Sequence, residues 1–356
     1  MNAAAAETTW PSLLRPLLAG HSLSYEQSVW AMDSIMSGLA GEAQLGALLM
    51  GLAAKGETVE EVAGFSDAMR RHARPLGVSG ESLDIVGTGG DQLNTVNIST
   101  MSMIAASAAG APIVKHGNRS ASSMSGSADV LEALGVSLEA PASDVEGIFR
   151  EVGIAFVFAQ VFHPSMRFAA AARKQMGVPT IFNVLGPLTN PAHPAASAIG
   201  TPKETTAELI AGVLARRGSR GLVFRGQDGL DELTVTAPST VWEVRDGEVR
   251  RCEVEPAQLG LGTWTIADLT GGDARHNADV ARRTLAGEEG APKDAVLLNA
   301  AAGLVAFDAA ADGSLESRLR DKIERVREVL ENGQAIEKLE AWVECSQAAA
   351  QRAQQA

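Results

Sequence analysis

Hydrophobic positions recur with helical spacing along the first 75 residues. Leu45, Leu48, Leu49 and Leu52 fall at i, i+3, i+4 and i+7, which puts them on one face of a helix. The expected helix starts and capping pairs are Thr9 with Pro11, Ser24 with Gln27, and Thr58 with Glu61. This pattern predicts a small all-helical region that ends by Pro75. Because small helices with extensive apolar faces often bury them against a second subunit, we expect a homodimer.

After Pro75, short apolar runs alternate with helical stretches. The predicted strands are Leu83–Val86, Pro112–Lys115, Ile154–Ala159 and Gly221–Phe224. The predicted helices are Met101–Ala109, Ala128–Leu134, Val145–Val152 and Glu204–Arg217. This alternation predicts βαβ units, and Asp246-Gly247 predicts a hairpin at the sheet edge. The expected fold class is α/β: a small all-helical N-terminal domain and a larger α/β domain whose mostly parallel central sheet is flanked by helices.

Composition narrows the possible functions. The chain has 356 residues, 46 % of them hydrophobic, with 30 Lys+Arg against 43 Asp+Glu and a formal charge of −13. Disorder as the main state is therefore excluded, and general nucleic-acid binding is disfavoured because that affinity comes largely from Lys and Arg. Cys252 and Cys345 belong to no zinc or disulfide pattern.

The sequence also predicts where the protein resides. Met1–Glu7 lacks the basic region of a secretory signal, and the longest uncharged stretch, Val178–Pro202, is interrupted by prolines. We therefore expect no membrane segment and a cytoplasmic location.

Three donor-rich loops follow predicted strands or open a helix. Gly87-Thr88-Gly89-Gly90-Asp91 comes after the first strand and has neither Walker A nor GxGxxG spacing, which excludes NTPases and dinucleotide-dependent dehydrogenases. Asn97-Ile98-Ser99-Thr100 opens the next helix, where simple helix capping is the alternative explanation. Lys115-His116-Gly117-Asn118-Arg119 ends the second strand and leads into a serine-rich segment, whose last serine, Ser127, we expect to cap a helix.

The charge pattern makes these loops a candidate anion site. No Asp or Glu occurs from Gln92 to Ala128, where about 4.5 would be expected at the average density of the chain. Asp231-Glu232 could supply hard oxygen ligands for Mg²⁺ beside such an anion, although solvated surface carboxylates are the alternative. Arg167 and Arg173, on a predicted helix after Pro164, are either surface residues or bidentate anion ligands.

These segments together resemble the anthranilate phosphoribosyltransferases of tryptophan biosynthesis. The first motifs that carry the resemblance are GTGGDQLNTVNIST, KHGNRSASSMSGSADVLEALG and FAQVFHPSMRFAAAARKQMGVPTIFNVLGPLTNPAHP. DGLDELTV, LTGGDARHNADV and DAVLLNAAAGLVA follow in the same order, and the resemblance extends to about Val343. Two positions depart from the family pattern: Met124 stands where a basic residue is usual, and Gln92 where a small residue is common.

The resemblance implies a domain organisation and a reaction. Residues 1–76 would form a helical dimerisation domain, joined by a returning segment near 171–196, and residues 77–356 would form an α/β domain. That domain would bind 5-phosphoribosyl 1-diphosphate with Mg²⁺, two ions per subunit, and transfer the phosphoribosyl group to anthranilate. The resemblance assigns no certain catalytic residue, because Mg²⁺, fixed donors and substrate alignment can supply the catalysis. Lys115 and Arg173 are the candidates.

The resemblance also implies the site residues. The expected phosphoribosyl diphosphate ligands are Gly87, Gly90, Asp91, Thr95, Asn97, Ile98, Ser99, Thr100, Lys115, His116, Gly117, Asn118, Arg119, Ser120, Ala121, Ser122, Ser123 and Ser127. The expected anthranilate ligands are Gly87, His116, Asn118 and Arg173, and the expected metal ligands are Ser99, Asp231 and Glu232. The alternatives are nucleoside phosphorylase-like glycosyl transfer and a non-catalytic relative that binds nucleic acid.

Overall fold

The protein is described by a computed structural model that covers residues 8–119, 124–138, 140–310 and 312–355. These residues form two compact units. The helical unit contains the described residues up to Arg74 together with His163–Pro191. The α/β unit contains Pro75–Phe162 and the described residues from Ala192 onward.

The helices and strands follow one another along the chain in a mostly alternating order after the first four helices. In chain order, the helices are α1 Trp10–Leu18, α2 Tyr25–Met36, α3 Glu42–Lys55, α4 Val59–Arg71, α5 Ile98–Ala108, α6 Ser127–Leu134, α7 Ala142–Val152, α8 Ala159–Phe162, α9 Arg167–Met176, α10 Phe182–Leu185, α11 Glu204–Arg216, α12 Ala274–Leu285, α13 Ala291–Phe307, α14 Leu315–Glu331 and α15 Gln334–Gln355. The strands are β1 Leu83–Gly87, β2 Ile113–Gly117, β3 Ile154–Phe158, β4 Ala196–Gly200, β5 Arg220–Gly226, β6 Ser239–Arg245 and β7 Glu248–Val254. Short 3₁₀ helices cover Pro164–Met166, Gly186–Leu188, Pro256–Leu259 and Ile266–Leu269.

The helical unit begins its first, second and fourth helices where the sequence predicts. The side chains of Thr9, Ser24 and Thr58 each accept a hydrogen bond from the backbone N–H three residues later. Such caps satisfy N–H groups that have no partner inside the helix, so they fix where each helix starts. The predicted helix starts are confirmed.

The α/β unit is built on a seven-stranded sheet in the order β3-β2-β1-β4-β5-β6-β7. Strands β1 to β5 are parallel, whereas β6 and β7 pair antiparallel through the turn at Asp246-Gly247. Both turn residues have positive φ, 53° and 77°, which is typical of a tight hairpin. The α/β fold class and the edge hairpin are confirmed.

Strand β4 was not predicted, although it lies at the centre of the sheet between β1 and β5. Its sequence, Ala-Ser-Ala-Ile-Gly, has a single β-branched residue and no alternation of apolar and polar positions. The strand forms because it is buried along its whole length, where small side chains pack beneath helix α13. Tertiary packing therefore overrides the local sequence preference here.

Helix α13 is the most buried long helix of the α/β unit and packs against β1, β4, β5 and α5. Apart from Asn299, residues 295–307 are apolar on every side of the helix, which is typical of a helix enclosed by other elements. Among the helices that the structure describes, none is both long enough and apolar enough to cross a membrane.

Candidate active site

The loop after β1 has an unusual backbone conformation. Gly89 and Gly90 have φ values of 70° and 90°, and Gln92 and Asn94 have 60° and 52°. Glycine adopts this left-handed region without strain, whereas Gln92 adopts it at an energetic cost. The loop therefore folds tightly at the carboxyl end of the sheet, where ligands bind in open α/β folds.

The acidic pair Asp231-Glu232 lies in the loop after β5 and reaches this same edge of the sheet. Asp231 Oδ2 accepts a hydrogen bond from the Gly89 N–H at 2.7 Å. Glu232 Oε1 accepts one from the Ser99 N–H, in the first turn of α5, at 3.1 Å. Segments more than 130 residues apart in sequence are thus joined by the two carboxylates.

Two glycines make room for the acidic segment. A Cβ atom on Gly87 would collide with the Asp231 carboxylate, and one on Gly200 would collide with the Asp231 backbone carbonyl. These glycines end the adjacent strands β1 and β4. Close backbone approach, rather than a turn conformation, is the reason for glycine at both positions.

The carboxylates are held in an environment that disfavours their charge. Burial, followed by repulsion from Glu232 and Asp91, raises the pKa of Asp231 well above its ordinary value. Burial raises the pKa of Glu232 to about 7, despite the opposing attraction of Lys115. Carboxylates crowded in this way are stabilised in their charged form by a cation, so the donor set fits a hard metal ion.

The carboxylates do not complete a metal site on their own. Within the described part of the chain, no group of three or more His, Cys, Asp or Glu side chains is arranged to hold a metal ion. Mg²⁺ is commonly bound by one or two carboxylates together with substrate phosphates. The two carboxylates would therefore need further oxygen ligands to hold a Mg²⁺ ion.

Lys115 lies beneath this cluster rather than at the surface. Its ammonium donates hydrogen bonds to the Ile85 carbonyl and, at 3.2 Å, to Ser99 Oγ, and its side chain is buried. Burial lowers the pKa of Lys115, while Asp84, Glu232 and Asp231 oppose that effect. The Lys115 side chain is thus held beside the acidic pair and the α5 N-terminus.

Asn97 precedes α5, but its side chain does not cap the helix. Its Nδ2 donates to the Ser125 carbonyl at 3.1 Å, and its Oδ1 accepts from Asn277 Nδ2 at 2.7 Å. Capping therefore does not explain the Asn97 side chain. Ile98 and Thr100, also predicted as ligands, are buried in the first turn of α5.

Asn277 was missed at the sequence level, although it lies in the motif LTGGDARHNADV. Its Oδ1 accepts a hydrogen bond from the Gly272 N–H at 2.7 Å, and its Nδ2 donates one to Asn97 Oδ1. The same segment pairs with the loop after β1 through an isolated bridge between Thr95 and Thr270. The sequence gives no signal that singles out Asn277, because its burial within the amphipathic helix α12 is visible only in the structure.

The end of β2 and the loop that follows it contain several of the predicted ligands, and their surroundings differ. His116 is buried, and its N–H donates to Asp84 Oδ1 at 3.2 Å. A Cβ atom on Gly117 would collide with Phe156. The Asn118 carbonyl accepts from Ser127 Oγ at 3.3 Å. Ser120, Ala121, Ser122 and Ser123 lie outside the described residues.

The side chain of Arg119 is paired with two carboxylates in this structure. Its guanidinium is paired with Asp129 at 3.0 Å and Glu132 at 2.6 Å, both on α6. Hydrogen bonds to these carboxylates raise its pKa. The expected role of Arg119 as a phosphoribosyl diphosphate ligand stays a prediction, and an anion bound there would compete with these two carboxylates.

The prediction that Ser127 caps α6 is wrong. Ser127 is the first residue of α6, and Gly126 occupies the N-cap position. The Gly126 N–H donates to Asp129 Oδ2 at 2.9 Å. The Ser127 hydroxyl is instead directed to Asn118, which links the helix start to the loop after β2.

Arg173 belongs to the helical unit, in the last turn of α9. Its guanidinium lies 5.0 Å from the centre of the Phe182 ring, which is a cation–π contact. Burial lowers its pKa, as expected for a cation that is partly withdrawn from water.

Comparison with known proteins defines the class to which this fold and site belong. The family model described as "Glycosyl transferase family, a/b domain" matches residues 79–336, and the one described as "Glycosyl transferase family, helical bundle domain" matches residues 11–73. The chain is thus a glycosyl transferase with a helical bundle and an α/β domain.

Individual relatives narrow the class further. The chain is 56 % identical over 342 residues to an anthranilate phosphoribosyltransferase of Arthrobacter sp. (strain FB24), covering 96 % of this chain and 97 % of that one. It is 53 % identical over 341 residues to one of Acidothermus cellulolyticus, covering 96 % of each. The chain belongs to the anthranilate phosphoribosyltransferase family, and the resemblance found in the sequence is confirmed.

Solved structures of the family share the fold. The crystal structure of the Thermus thermophilus anthranilate phosphoribosyltransferase has a TM-score of 0.87 and 41 % identity, covering 94 % of this chain and 99 % of that one. The Saccharomyces cerevisiae enzyme in complex with PRPP and Mg has a TM-score of 0.86 and 27 % identity, covering 96 % and 99 %. These relatives favour the anthranilate reaction over a phosphorylase or a nucleic-acid-binding protein.

Proposed function

We propose that this protein transfers the 5-phosphoribosyl group of phosphoribosyl diphosphate to the amino group of anthranilate, with release of pyrophosphate. The observation that carries the proposal is the convergence of Asp231 and Glu232 on the backbone N–H groups of Gly89 and Ser99. This arrangement places carboxylates, backbone donors and a helix N-terminus together, which suits a magnesium diphosphate. The identity of 56 % over nearly the whole chain supports the choice of reaction.

The reaction requires that one bond break and one form at C1 of the ribose. The C1–oxygen bond breaks with its electron pair leaving on pyrophosphate, and the amine nitrogen donates its lone pair to C1. The nitrogen then releases one proton to solvent. An aromatic amine is neutral at pH 7, so alignment of the two substrates and stabilisation of the leaving group are the main requirements.

The residues around β1, α5 and β2 would bind the phosphoribosyl diphosphate. The N–H groups of the loop that contains Gly90 and Asp91, and the start of α5, would donate to its oxygens. Lys115, buried beneath them, would add a fixed positive charge. Asn97 and Thr95 would keep this loop in place through their contacts with Asn277 and Thr270.

Asp231, Glu232 and Ser99 would hold Mg²⁺, with two ions per subunit. When bound, Mg²⁺ neutralises negative charge on the departing pyrophosphate. The Saccharomyces cerevisiae relative with PRPP and Mg supports the use of this metal. The raised pKa values of both carboxyls supply the electrostatic reason for cation binding here.

The acceptor subsite would use Arg173, Asn118, His116 and Gly87. Arg173 would face the carboxylate of anthranilate, because a partly buried guanidinium gains from pairing with an anion. A Saccharomyces cerevisiae relative crystallised with 4-fluoroanthranilate supports an aromatic acid as the acceptor.

The protein would act as a cytoplasmic homodimer and without nucleic acid. The helical unit supports the dimer, since it carries large hydrophobic side chains that are exposed in the single chain. Among the described residues these include Leu18, Leu39, Met50, Phe168 and Val178. Equilibrium sedimentation tests this, because Leu39→Glu should yield monomers, whereas Val249→Glu, an exposed change in the α/β unit, should not.

The experiment that tests the reaction measures pyrophosphate released from phosphoribosyl diphosphate. Release should require both Mg²⁺ and anthranilate, and adenine or uracil should not replace anthranilate. Equal release with unrelated amines would overturn the acceptor. Release of ribose 1-phosphate from a nucleoside and phosphate would instead identify a phosphorylase.

A further inference from the structure

A buried amide on α13 lies outside every residue assigned above. Asn299 is fully buried in a helix whose other neighbouring residues are apolar. Its Oδ1 accepts from the Leu233 N–H at 2.9 Å, and its Nδ2 donates to the carbonyls of Leu233 at 2.8 Å and Ala295 at 2.9 Å. All three hydrogen bonds have ordinary lengths, so the polar atoms of the buried amide have hydrogen-bond partners.

Leu233 directly follows Glu232, and both of its backbone polar groups are bound by this one side chain. The amide thus acts on Leu233 as a neighbouring strand would, although the segment belongs to no strand. On the other side of the acidic pair, Asp228 holds the loop by accepting from the Leu230 N–H at 3.1 Å and from Thr234 Oγ1 at 2.6 Å. The acidic pair is therefore fixed from both flanks.

Helix α13 also packs against α5, whose first turn provides the Ser99 N–H that binds Glu232. Helix α13 therefore supports both sides of the Ser99–Glu232 hydrogen bond: it packs against α5, and its Asn299 binds the residue after Glu232. A displacement of Leu233 would move Glu232 away from the α5 N-terminus while leaving α5 in place.

We propose that Asn299 is a positioning residue that sets the location of the metal-binding carboxylates Asp231 and Glu232 through its two hydrogen bonds to Leu233. The inference rests on the proposed function of that pair. Groups that orient metal ligands from behind contribute to metal affinity without touching the metal. The Asn299 amide directs its acceptor and one of its donors to the backbone of Leu233, which is two residues from the farther carboxylate. A residue that served only the core would not need these two bonds.

The test compares Asn299→Leu, which keeps a similar volume and removes the amide, with Leu297→Ala on the same helix. Leu297 is equally buried and makes no side-chain hydrogen bond, so its truncation destabilises the core alone. Asn299→Ser is the second amide variant, because its hydroxyl can still bond the Ala295 carbonyl but is too short to reach Leu233. It keeps the test available if Asn299→Leu does not fold.

Two measurements do not depend on turnover. The first is hydrogen exchange, by mass spectrometry, of the peptide that contains Leu233. The second is titration of the protein with Mn²⁺ in the presence of phosphoribosyl diphosphate, followed by electron paramagnetic resonance. We expect faster exchange and about a tenfold weaker Mn²⁺ affinity in both Asn299 variants, with neither change in Leu297→Ala at matched loss of melting temperature.

The outcomes separate the two proposals. Unchanged Mn²⁺ affinity in the Asn299 variants, or an equal loss in Leu297→Ala, overturns the positioning role. A parent protein that binds Mn²⁺ and phosphoribosyl diphosphate but releases no pyrophosphate with anthranilate overturns the proposed reaction and leaves the positioning role supported by the same titration.

Discussion

Replacement of Glu232 by Gln should stabilise the protein in the absence of ligands. The glutamine keeps the volume and the oxygen that accepts from the Ser99 N–H, but it removes a charge that burial disfavours. The pKa of Glu232 is raised from 4.5 to about 7. The difference between these two pKa values is worth about 3 kcal/mol, in which the opposing attraction of Lys115 is already included.

The sign of the pH dependence follows from the same shift. A carboxyl with a higher pKa in the folded protein binds more protons there than in the unfolded chain. Its contribution to stability is therefore lost as the pH rises from 4.5 to about 7, and the full penalty remains above that range. The stabilisation by Glu232→Gln should be about 1–3 kcal/mol at pH 8.5 and should vanish near pH 4.5.

The assay is thermal unfolding in EDTA at several pH values, without substrate. For a large α/β unit, about 2 °C of melting temperature corresponds to each kcal/mol. Glu243→Gln is the matched control, since Glu243 is paired with Arg318 at 2.7 Å and its loss leaves a buried guanidinium unpaired. That variant should be less stable than the parent at neutral pH.

The same Glu232 variant should lose most of its activity. If Glu232 holds Mg²⁺ as proposed, its removal should lower pyrophosphate release by about 100-fold and raise the Mg²⁺ concentration that is needed. A Glu232→Gln protein that is no more stable at pH 8.5 than the parent would refute the electrostatic reasoning. An unchanged Mg²⁺ requirement would remove Glu232 from the metal site.

Three further variants test other parts of the site. Arg173→Ala should raise the KM for anthranilate by a factor that corresponds to about 2–4 kcal/mol, with little effect on the KM for phosphoribosyl diphosphate. Steady-state kinetics measure both values, and an unchanged KM for anthranilate would exclude Arg173 from the acceptor subsite. Gln92→Gly should raise stability by about 1 kcal/mol because position 92 has a φ of 60°, whereas Gly89→Ala, at 70°, should lower it by a similar amount in urea unfolding. Asn277→Leu should raise the KM for phosphoribosyl diphosphate, because it leaves the Asn97 side-chain oxygen without its donor at 2.7 Å. An unchanged KM would show that the loop after β1 keeps its position without that contact.

The sequence predicted those parts of the fold whose local pattern agrees with their environment. Strands β1, β2, β3 and β5 each contain a short apolar run, and the caps of α1, α2 and α4 are contacts between residues close in sequence, so both could be predicted. Strand β4 was not, because Ala196–Gly200 is specified by the close approach of its neighbours rather than by β-propensity.

The same distinction applies to the site. Motif composition identified the residues at the carboxyl end of the sheet, including the acidic pair that the structure brings to Gly89 and Ser99. It could not identify Asn277 or Asn299, because an amide within an apolar or amphipathic helix reveals its partner only in three dimensions. Nor could it show that the Arg119 guanidinium pairs with Asp129 and Glu132, which lie on α6 one and four residues after the acid-free stretch.

The two glycines beneath Asp231 offer a criterion for interpreting other sequences of this architecture. Residues 87 and 200 stand where any side chain would displace the acidic segment. A homologue that retains the Asp-Glu dipeptide but carries alanine or a larger residue at either position must hold that dipeptide elsewhere. Such a chain should be classified as unable to place its acidic pair as this one does, even though its acidic motif is intact.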